Sequence, residues 1–312
     1  MMMGNIKYSY QTNMWGLMVQ YPKLNEWDEW YAKDINNGVY YLDWDKILKY
    51  HSALGYTGIE IMMNMPRYIR EFFGTPQKFT EFLNEYGIEK VTGTFQIAIG
   101  SQDKRKHGEI FEKLKKMVDF SAGLGANNMN MMPCGGYYGV GPLSQEGISN
   151  AAAFANRIGR YAREKGVDIA IHSEFWGAVN YNELEAFMDQ TDPEAVCFCL
   201  DTAQVSIMGF DMTELYGRWH DRIKYLHLKD TKYANAPDEL RYKAGAEFAD
   251  DGTRWFWEMG MGSLDFIALW KMLKKYRFEG WATIETDGTP DPLATAANAK
   301  FYLDKYLKPI YE

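Results

Sequence analysis

Short apolar runs and longer amphipathic stretches alternate along most of the chain. Runs of continuous or alternating apolar residues are typical of strands, whereas apolar positions three or four residues apart are typical of helices. The predicted strands are Lys7–Thr12, Gly58–Met62, Lys90–Ile97, Asn127–Met132, Asp168–Ser173, Ala195–Leu200, Ile223–Leu228 and Trp281–Ile284. The clearest predicted helices are Trp44–Leu54, Pro76–Tyr86, Asp103–Gly123, Ser144–Lys165 and Leu264–Tyr276.

Strands that are each followed by a helical connection predict a parallel sheet, and eight such strands are the number that closes into a barrel. No Pro-, Gly- or Ser-rich linker divides the chain, so residues 1–312 are predicted to form a single α/β domain, a (β/α)8 TIM barrel. Two loop insertions, at about 15–40 and 231–260, follow the first and seventh strands. We expect both to lie over the C-terminal face, where such barrels carry their active sites.

The composition of the chain argues against several classes of protein. The formal net charge of the 312 residues is −8, which argues against a nucleic-acid partner because that binding depends on clustered Lys and Arg. No run reaches the roughly 18 apolar residues of a membrane span, and residues 1–11 lack the apolar core of a signal peptide. We therefore expect a cytoplasmic protein with no membrane partner. Three cysteines give no disulfide framework, and we expect all three to be reduced: Cys134, Cys197 and Cys199.

Ionisable residues follow four neighbouring predicted strands at the end where each strand stops. Glu174 follows strand five, Asp201 strand six and Glu285 strand eight, and His227 lies near the end of strand seven. Three converging carboxylates would repel one another, and a bound cation resolves that repulsion. Oxygen ligands with one imidazole and no thiolate favour Mn²⁺, with Mg²⁺ or Co²⁺ as alternatives. These four residues are the predicted ligands of one divalent metal ion; the alternative for each acid is a rim salt bridge or a helix N-cap.

Other residues near these strand ends are candidates for catalysis or substrate binding. His172 lies two residues before Glu174 and so on the same face, and we predict that it transfers a proton instead of binding the metal. The alternative is that His172 orients a ligand carboxylate. Lys229 either holds a substrate oxygen or pairs with Asp230 or a metal-binding carboxylate. Three aromatic residues beyond strand ends are either substrate walls or core packing: Trp15, Trp176 and Tyr137. Three methionines of strand four are expected to fill the barrel interior: Met129, Met131 and Met132.

The order Glu, Asp, His, Glu on strands five to eight resembles the sugar isomerase/epimerase superfamily of xylose-isomerase-like barrels. The segments that carry the resemblance are IHSEFWG, CLDTAQ, YLHLKDT and GWATIETD. The second half of the chain is most similar to inosose dehydratase, and the catalytic subunit of bacterial C-glycoside deglycosidases is a relative with the same ligand pattern. Many relatives carry a substrate-contacting His three residues after the strand-six Asp, where this chain has Gln204. Glutamine can bind a hydroxyl but cannot carry a proton.

A divalent metal beside carboxylates suits proton abstraction next to a carbonyl, with Glu174, Glu285, His172 and Lys229 as candidate catalytic residues. The resemblance implies a lyase that eliminates a β-substituent from a keto-sugar or keto-inositol. The runner-up is a ketose 3-epimerase or sugar isomerase that uses the same site. An endonuclease is disfavoured by charge and by too few histidines, and a non-catalytic sugar-binding barrel leaves the four ligands unexplained. The expected partner is a small carbohydrate substrate; a homo-oligomer, or a small β-rich second subunit as in the deglycosidases, is left open.

Overall fold

Eight parallel strands close into a barrel in the order in which they occur along the chain. The computed structural model describes residues 6–12, 44–62, 69–70, 72–246, 254–289 and 291–311. The strands are β1 Ile6–Gln11, β2 Gly58–Ile61, β3 Lys90–Ile99, β4 Asn128–Cys134, β5 Asp168–Ile171, β6 Val196–Asp201, β7 Ile223–Leu228 and β8 Gly280–Ile284. The closing pair is β1 with β8, from Ile6 opposite Gly280 to Tyr10 opposite Ile284. The barrel prediction is confirmed, and every strand end lies within two residues of its predicted position.

Helices connect the strands on the outside of the barrel. Those in the described residues are α1 Trp44–Ala53, α2 Pro76–Glu85, α3 His107–Gly123, α4 Tyr137–Val140, α5 Gln145–Glu164, α6 Leu184–Asp189, α7 Thr202–Met208, α8 Met212–Trp219, α9 Asp238–Arg241, α10 Phe266–Lys275, α11 Pro292–Tyr302 and α12 Lys308–Tyr311. The five predicted helices correspond to α1, α2, α3, α5 and α10. Their starts are set by capping side chains, since Thr75, Ser144 and Asp265 each accept a hydrogen bond from a backbone N–H three residues later.

The interior of the barrel is polar below the C-terminal face. A layer of hydroxyls links four strands: Ser9 Oγ lies 2.5 Å from Thr283 Oγ1, and Thr92 Oγ1 lies 2.6 Å from Tyr225 OH. Asn128 and Asn130 of β4 are hydrogen-bonded to each other within this interior. Because side chains alternate along a strand, Met129 and Met131 face the helices, where they join the main apolar core. The prediction that they fill the barrel interior is wrong; Met132 shares the face of Asn130.

The cysteines and the predicted insertions have different outcomes. All three cysteines are free and buried, as expected. The insertion 15–40, with Trp15, lies outside the described residues, and the insertion 231–260 is described except for residues 247–253. Among the described residues, no helix is both long enough and apolar enough to cross a membrane.

His51 of α1 gives the stability of the fold a pH dependence of its own. It is fully buried between the rings of Tyr10 and Tyr56, and burial lowers its pKa to about 3. Below about pH 6.5, the pKa of a histidine in the unfolded chain, His51 is protonated in the unfolded chain but stays neutral in the folded one. The free energy of unfolding should therefore fall by about 1.4 kcal/mol per pH unit through this histidine between about pH 6.5 and 3.

The test is urea unfolding of the protein and of His51→Gln between about pH 6 and 5, below the range in which groups of raised pKa change charge. The free energy of unfolding of the variant should change less steeply with pH than that of the wild type. The difference in slope should correspond to the uptake of roughly one proton on unfolding. Equal slopes for the two proteins would contradict the assignment of this acid sensitivity to His51.

Candidate active site

Four strands deliver ionisable side chains to one end of the barrel. His172 and Glu174 follow β5, Asp201 ends β6, His227 lies in β7, and Glu285 follows β8 directly. All five side chains are buried, and none of them is more than 7% exposed. Asp201 lies opposite His227 in the β6–β7 register, and His227 lies opposite Thr283, two residues before Glu285. The carboxyl ends of neighbouring parallel strands therefore bring these groups together at one rim, as barrel active sites require.

One cluster of side chains at this rim contains two imidazoles and two carboxylates. His172, Asp201, His227 and Glu285 each offer a nitrogen or oxygen atom, and these atoms lie within 4.8 Å of one another. His227 Nδ1 lies 2.8 Å from Glu285 Oε2 and 3.1 Å from His172 Nε2, which is itself 3.2 Å from Asp201 Oδ2. Three of the four predicted ligands are in this cluster. The fourth member is His172, for which the sequence predicts proton transfer instead of metal binding.

Glu174, the remaining predicted ligand, lies beside the cluster. Its Oε1 is 3.0 Å from His172 Nδ1, and its Oε2 accepts a hydrogen bond from Gln204 Nε2. The Gln204 carbonyl oxygen in turn accepts the backbone N–H of Phe175 at 2.9 Å. Gln204 therefore orients Glu174 through both ends of its amide. Its predicted contact with substrate stays a prediction, as does the ligand role of Glu174.

Asp201 serves the helix and the site with different oxygens. Oδ1 accepts the backbone N–H groups of Ala203 and Gln204 at 3.1 and 3.0 Å, which caps α7. Oδ2 faces His172 and Lys229. The N-cap alternative is therefore confirmed for this side chain, and its other oxygen is left to face the cluster. The cap fixes the carboxylate in orientation, so Oδ2 is presented to the cluster with little rotational freedom.

Lys229 is a fully buried cation beside these carboxylates. Its Nζ lies 3.2 Å from Asp201 Oδ2, 3.1 Å from Glu285 Oε1 and 2.7 Å from Asp287 Oδ2, and it sits 4.7 Å from the centre of the Phe256 ring. The sequence left open which group Lys229 contacts. The structure shows that Lys229 pairs with Asp201 and Glu285, two of the candidate metal ligands. Asp230 is not its partner, because that carboxylate accepts backbone N–H groups from Thr231 and the 260–264 turn.

Opposite charges shift the titration of the cluster. Burial lowers the pKa of His172, but the Glu174 and Asp201 carboxylates outweigh burial and raise the pKa to about 9. Burial raises the pKa of Glu285, but Lys229 and His227 outweigh it and lower the pKa to about 2. The pKa of Asp201 also lies well below its usual value, with Lys229 as the main lowering influence against burial. Asp201 and Glu285 therefore stay ionised at neutral pH.

The donor atoms fit a divalent metal ion. His172 Nδ1 and Glu285 Oε2 are buried, and each lies beside another group of the site, 3.0 Å from Glu174 Oε1 and 2.8 Å from His227 Nδ1 respectively. Several carboxylates buried so close together favour a bound cation among them. Imidazole nitrogen with carboxylate oxygen is a donor set that Mn²⁺, Co²⁺ and Zn²⁺ all accept. The residues present therefore suit a cation, although they do not select one metal.

Loops after β4, β5 and β7 surround the mouth. The Tyr137 ring, after β4, stacks at 3.8 Å on Tyr242 of the 231–260 insertion, and its backbone N–H donates to the Trp176 carbonyl. Trp176, after β5, is buried and stacks loosely with Tyr138. Tyr137 and Trp176 thus stand beside the rim, and their predicted contact with substrate stays a prediction.

Two buried or half-buried acids at the site were not predicted from the sequence. Glu60 of β2 is completely buried, and its Oε2 lies 2.7 Å from His227 Nε2. Asp287 follows Glu285 by two residues and binds Lys229. The available signal for Glu60 was a single acid inside the apolar run GIEIMM, which is unusual for a strand buried on both faces. The signal for Asp287 was its period-two spacing from Glu285.

The family model of the xylose isomerase-like TIM barrel matches residues 48–305, and the chain belongs to that family. Inosose dehydratase of Geobacillus kaustophilus is 25% identical over 277 residues, which cover 84% of this chain and 86% of that enzyme. Inosose dehydratase of Lacticaseibacillus casei is 31% identical over 156 residues, which cover 47% of this chain. That match spans about half of the L. casei enzyme, 51% of its length. The recognition of the family and of inosose dehydratase relatives from the sequence is confirmed.

Solved structures with the same fold include proteins named for different activities. The probable 3-DHS dehydratase AsbF of Bacillus anthracis has a TM-score of 0.73 at 13% identity, over 96% of this chain and 99% of that one. The IOLI protein with a bound zinc atom has a TM-score of 0.67 at 17% identity, over 98% of both chains. D-allulose 3-epimerase of Methylomonas sp. has a TM-score of 0.67 at 18% identity, over 97% of this chain and 98% of that one. At these identities the likeness shows the fold.

Proposed function

We propose that the protein is a divalent-metal-dependent lyase that removes water from a keto-inositol or keto-sugar. The observation that carries the proposal is the buried cluster at the carboxyl ends of β5 to β8, with donor atoms of two carboxylates and two imidazoles within 4.8 Å. The similarity to inosose dehydratases supports elimination of water over the other reactions open to such a site. The inosose dehydratases also support a cyclic polyol ketone as substrate.

Glu174, Asp201, His227 and Glu285 are the proposed ligands, and Mn²⁺ is the metal that we propose first. When bound, the cation stabilises the negative charge that develops on a carbonyl oxygen during enolisation. A zinc atom is bound in the IOLI protein, so Zn²⁺ and Co²⁺ belong in the same test. The ligand set is a proposal that includes Glu174, which lies next to the tight cluster through its contact with His172.

His172 is the proposed base. Its ring lies between Glu174 and Asp201, at 3.0 and 3.2 Å, so it is held in one orientation at the floor of the site. The imidazole takes the proton from the carbon next to the carbonyl, and the electron pair forms a carbon–carbon double bond as the β C–O bond breaks. The proton on His172 then passes to the departing hydroxyl, so that water is lost and the ring is restored. Lys229, whose ammonium group faces Asp201, Glu285 and Asp287, is proposed to hold these carboxylates in place.

The experiment compares three substrates with the metal-loaded protein: a keto-inositol, a 3-oxo-glucoside with an aromatic aglycone, and a free ketose. Products are followed by mass spectrometry. The proposal expects the keto-inositol to lose one water molecule. Release of the aglycone from the oxo-glucoside would instead assign the elimination to C-glycoside or related deglycosylation. Conversion of the ketose alone, at unchanged mass, would contradict the lyase proposal and favour the epimerase or isomerase.

The partner of the proposed enzyme is a small carbohydrate, and nothing in the described residues requires a nucleic acid. A homo-oligomer stays a proposal, and a small β-rich subunit stays a proposal for the deglycosidase alternative. Light scattering of the purified protein in the presence of substrate distinguishes a single chain from a homo-oligomer. A requirement for an added subunit before the oxo-glucoside is cleaved would favour the hetero-oligomer.

A further inference from the structure

A hydrogen bond crosses the barrel interior from β2 to β7, directly beneath the proposed metal ligands. Glu60 lies between Ile59 and Ile61 of β2, whose side chains belong to the apolar core outside the barrel, so the Glu60 carboxylate points inward. It is 0% exposed. Its Oε2 lies 2.7 Å from His227 Nε2, and His227 is 1% exposed. A carboxylate in this position needs several hydrogen bonds to offset its loss of water.

The surroundings of Glu60 supply those hydrogen bonds. Its Oε1 accepts Gln11 Nε2 at 2.8 Å and Asn130 Nδ2 at 3.0 Å. The Asn130 amide is oriented by its other end, because its carbonyl oxygen accepts Asn128 Nδ2 at 2.8 Å. Three strands other than β2 therefore point N–H groups at one carboxylate. These hydrogen bonds fix the orientation of the Glu60 carboxylate, so each of its oxygens accepts from a defined direction.

The same geometry determines which nitrogen of His227 carries the proton. Asn130 Nδ2 also lies 3.1 Å from His227 Nε2 and has a second N–H besides the one directed at Glu60, but the Glu60 carboxylate is the closer neighbour of Nε2 and the charged one. If Nε2 lacked a proton, it would face the Glu60 carboxylate at 2.7 Å with two lone pairs opposed. A proton on Nε2 removes that repulsion and makes a hydrogen bond to charge. Nδ1, at the other edge of the ring, lies 2.8 Å from Glu285 Oε2, where the same repulsion arises unless a positive charge lies between the two atoms. A divalent cation bound by Nδ1 and Glu285 supplies that charge.

We propose that Glu60 is a positioning residue that holds the His227 ring with its Nε2–H directed at the barrel interior and its Nδ1 free to bind the divalent cation. This inference rests on the proposed function, because it assumes that His227 is a metal ligand. A carboxylate that accepts the second N–H of a ligating histidine fixes the ring and makes the ligating nitrogen more basic. Loss of such a carboxylate typically lowers metal affinity by about 10- to 100-fold.

The first measurement needs no substitution at Glu60. Protein labelled with ¹⁵N in its five histidines is loaded with Zn²⁺, and each ring is assigned by substituting the histidines one at a time. The nitrogen shifts and one-bond N–H couplings report which ring nitrogen carries the proton and which binds the metal. The expected result is a proton on His227 Nε2 and Zn²⁺ on Nδ1. Zn²⁺ bound through Nε2 would overturn the inference without reference to any variant.

The second measurement is calorimetric titration of Zn²⁺ into the wild type, Glu60→Gln and Ser9→Ala. Glu60→Gln keeps the size of the side chain and removes its charge, and its affinity for Zn²⁺ should fall by about 10-fold or more. Ser9→Ala is the matched control, because it removes a buried hydrogen bond from the hydroxyl layer without touching Glu60 or His227. Its affinity should stay within about twofold of the wild type.

The outcomes separate this inference from the proposed function. Equal affinity of the wild type and Glu60→Gln would overturn the positioning role and leave the metal site standing. A merely structural Glu60 would lower the stability of the variant and of Ser9→Ala alike, without a selective loss of Zn²⁺ affinity. A wild-type protein that takes up no Zn²⁺, Mn²⁺ or Co²⁺ in the same titration would overturn the proposed metal site and the inference together.

Discussion

Removal of divalent metal with a chelator is expected to abolish the dehydration of a keto-inositol, and added Mn²⁺ or Co²⁺ is expected to restore it. The physical reason is the charge on the substrate. Proton loss next to a carbonyl places negative charge on oxygen, and the buried site otherwise surrounds that oxygen with carboxylates. A cation there supplies several kcal/mol, so turnover should fall by about a thousandfold or more. Elemental analysis of the chelated protein checks that the metal has left, and full activity with no metal found would contradict the prediction.

The substitution Asp201→Asn tests the same metal dependence by changing a proposed ligand instead of removing the metal. Asparagine keeps an oxygen for the N–H groups at the start of α7 but removes the negative charge that faces the site. The variant should stay folded and lose metal affinity and turnover together. Asp211→Asn is the matched control, because Asp211 caps α8 in the same way, accepting the backbone N–H groups of Thr213 and Glu214 on the surface. If Asp201→Asn keeps both its metal and its turnover, Asp201 is not a ligand.

The second large effect is expected at His172. If His172 carries the proton, His172→Ala should lower turnover by a factor of about 10² or more while the bound metal is retained. The carboxylates around this ring raise its pKa to about 9, which would keep it protonated at neutral pH. A divalent cation among the same carboxylates offsets their charge and lowers the pKa, so the ring becomes an available base only in the metal-loaded enzyme.

Metal content and turnover have to be measured on the same sample of His172→Ala. His227→Ala is the comparison, since it removes the other imidazole of the cluster and should lose the metal first. If excess Mn²⁺ returned His172→Ala to near wild-type turnover, His172 would be a ligand or an orienting residue. The base would then be Glu174 or Glu285, the pair that an epimerase would use.

The positions of the site residues were predictable because two simple rules apply to them. Strands of a parallel barrel end at one rim, and side chains alternate along each strand, so Asp201, His227 and Glu285 had to meet. The same rules could not decide between Glu174 and His172 as the fourth member of the cluster. Both residues face the site, and the choice depends on side-chain torsions that Gln204 and Asp201 fix through hydrogen bonds.

Other features depended on contacts between distant strands. Glu60 faces the barrel interior because β4 offers Asn130 and β7 offers His227 to receive it, and no local pattern in β2 reveals those partners. The wrong placement of Met129 and Met131 has the same origin, since alternation gives two faces but does not say which is inside. In β4 the asparagines face the interior, where Asn130 donates a hydrogen bond to Glu60.

The most direct test of the metal site is the anomalous scattering of a crystal grown with Mn²⁺ and no substrate. We expect one strong peak at the carboxyl ends of β5 to β8, in contact with Glu174, Asp201, Glu285 and the Nδ1 of His227, with His172 beside it and not bound. A peak held by His172 in place of Glu174 would correct the ligand set and remove the proposed base. No peak within reach of Asp201, His227 and Glu285 would contradict the metal site, and with it the proposed reaction.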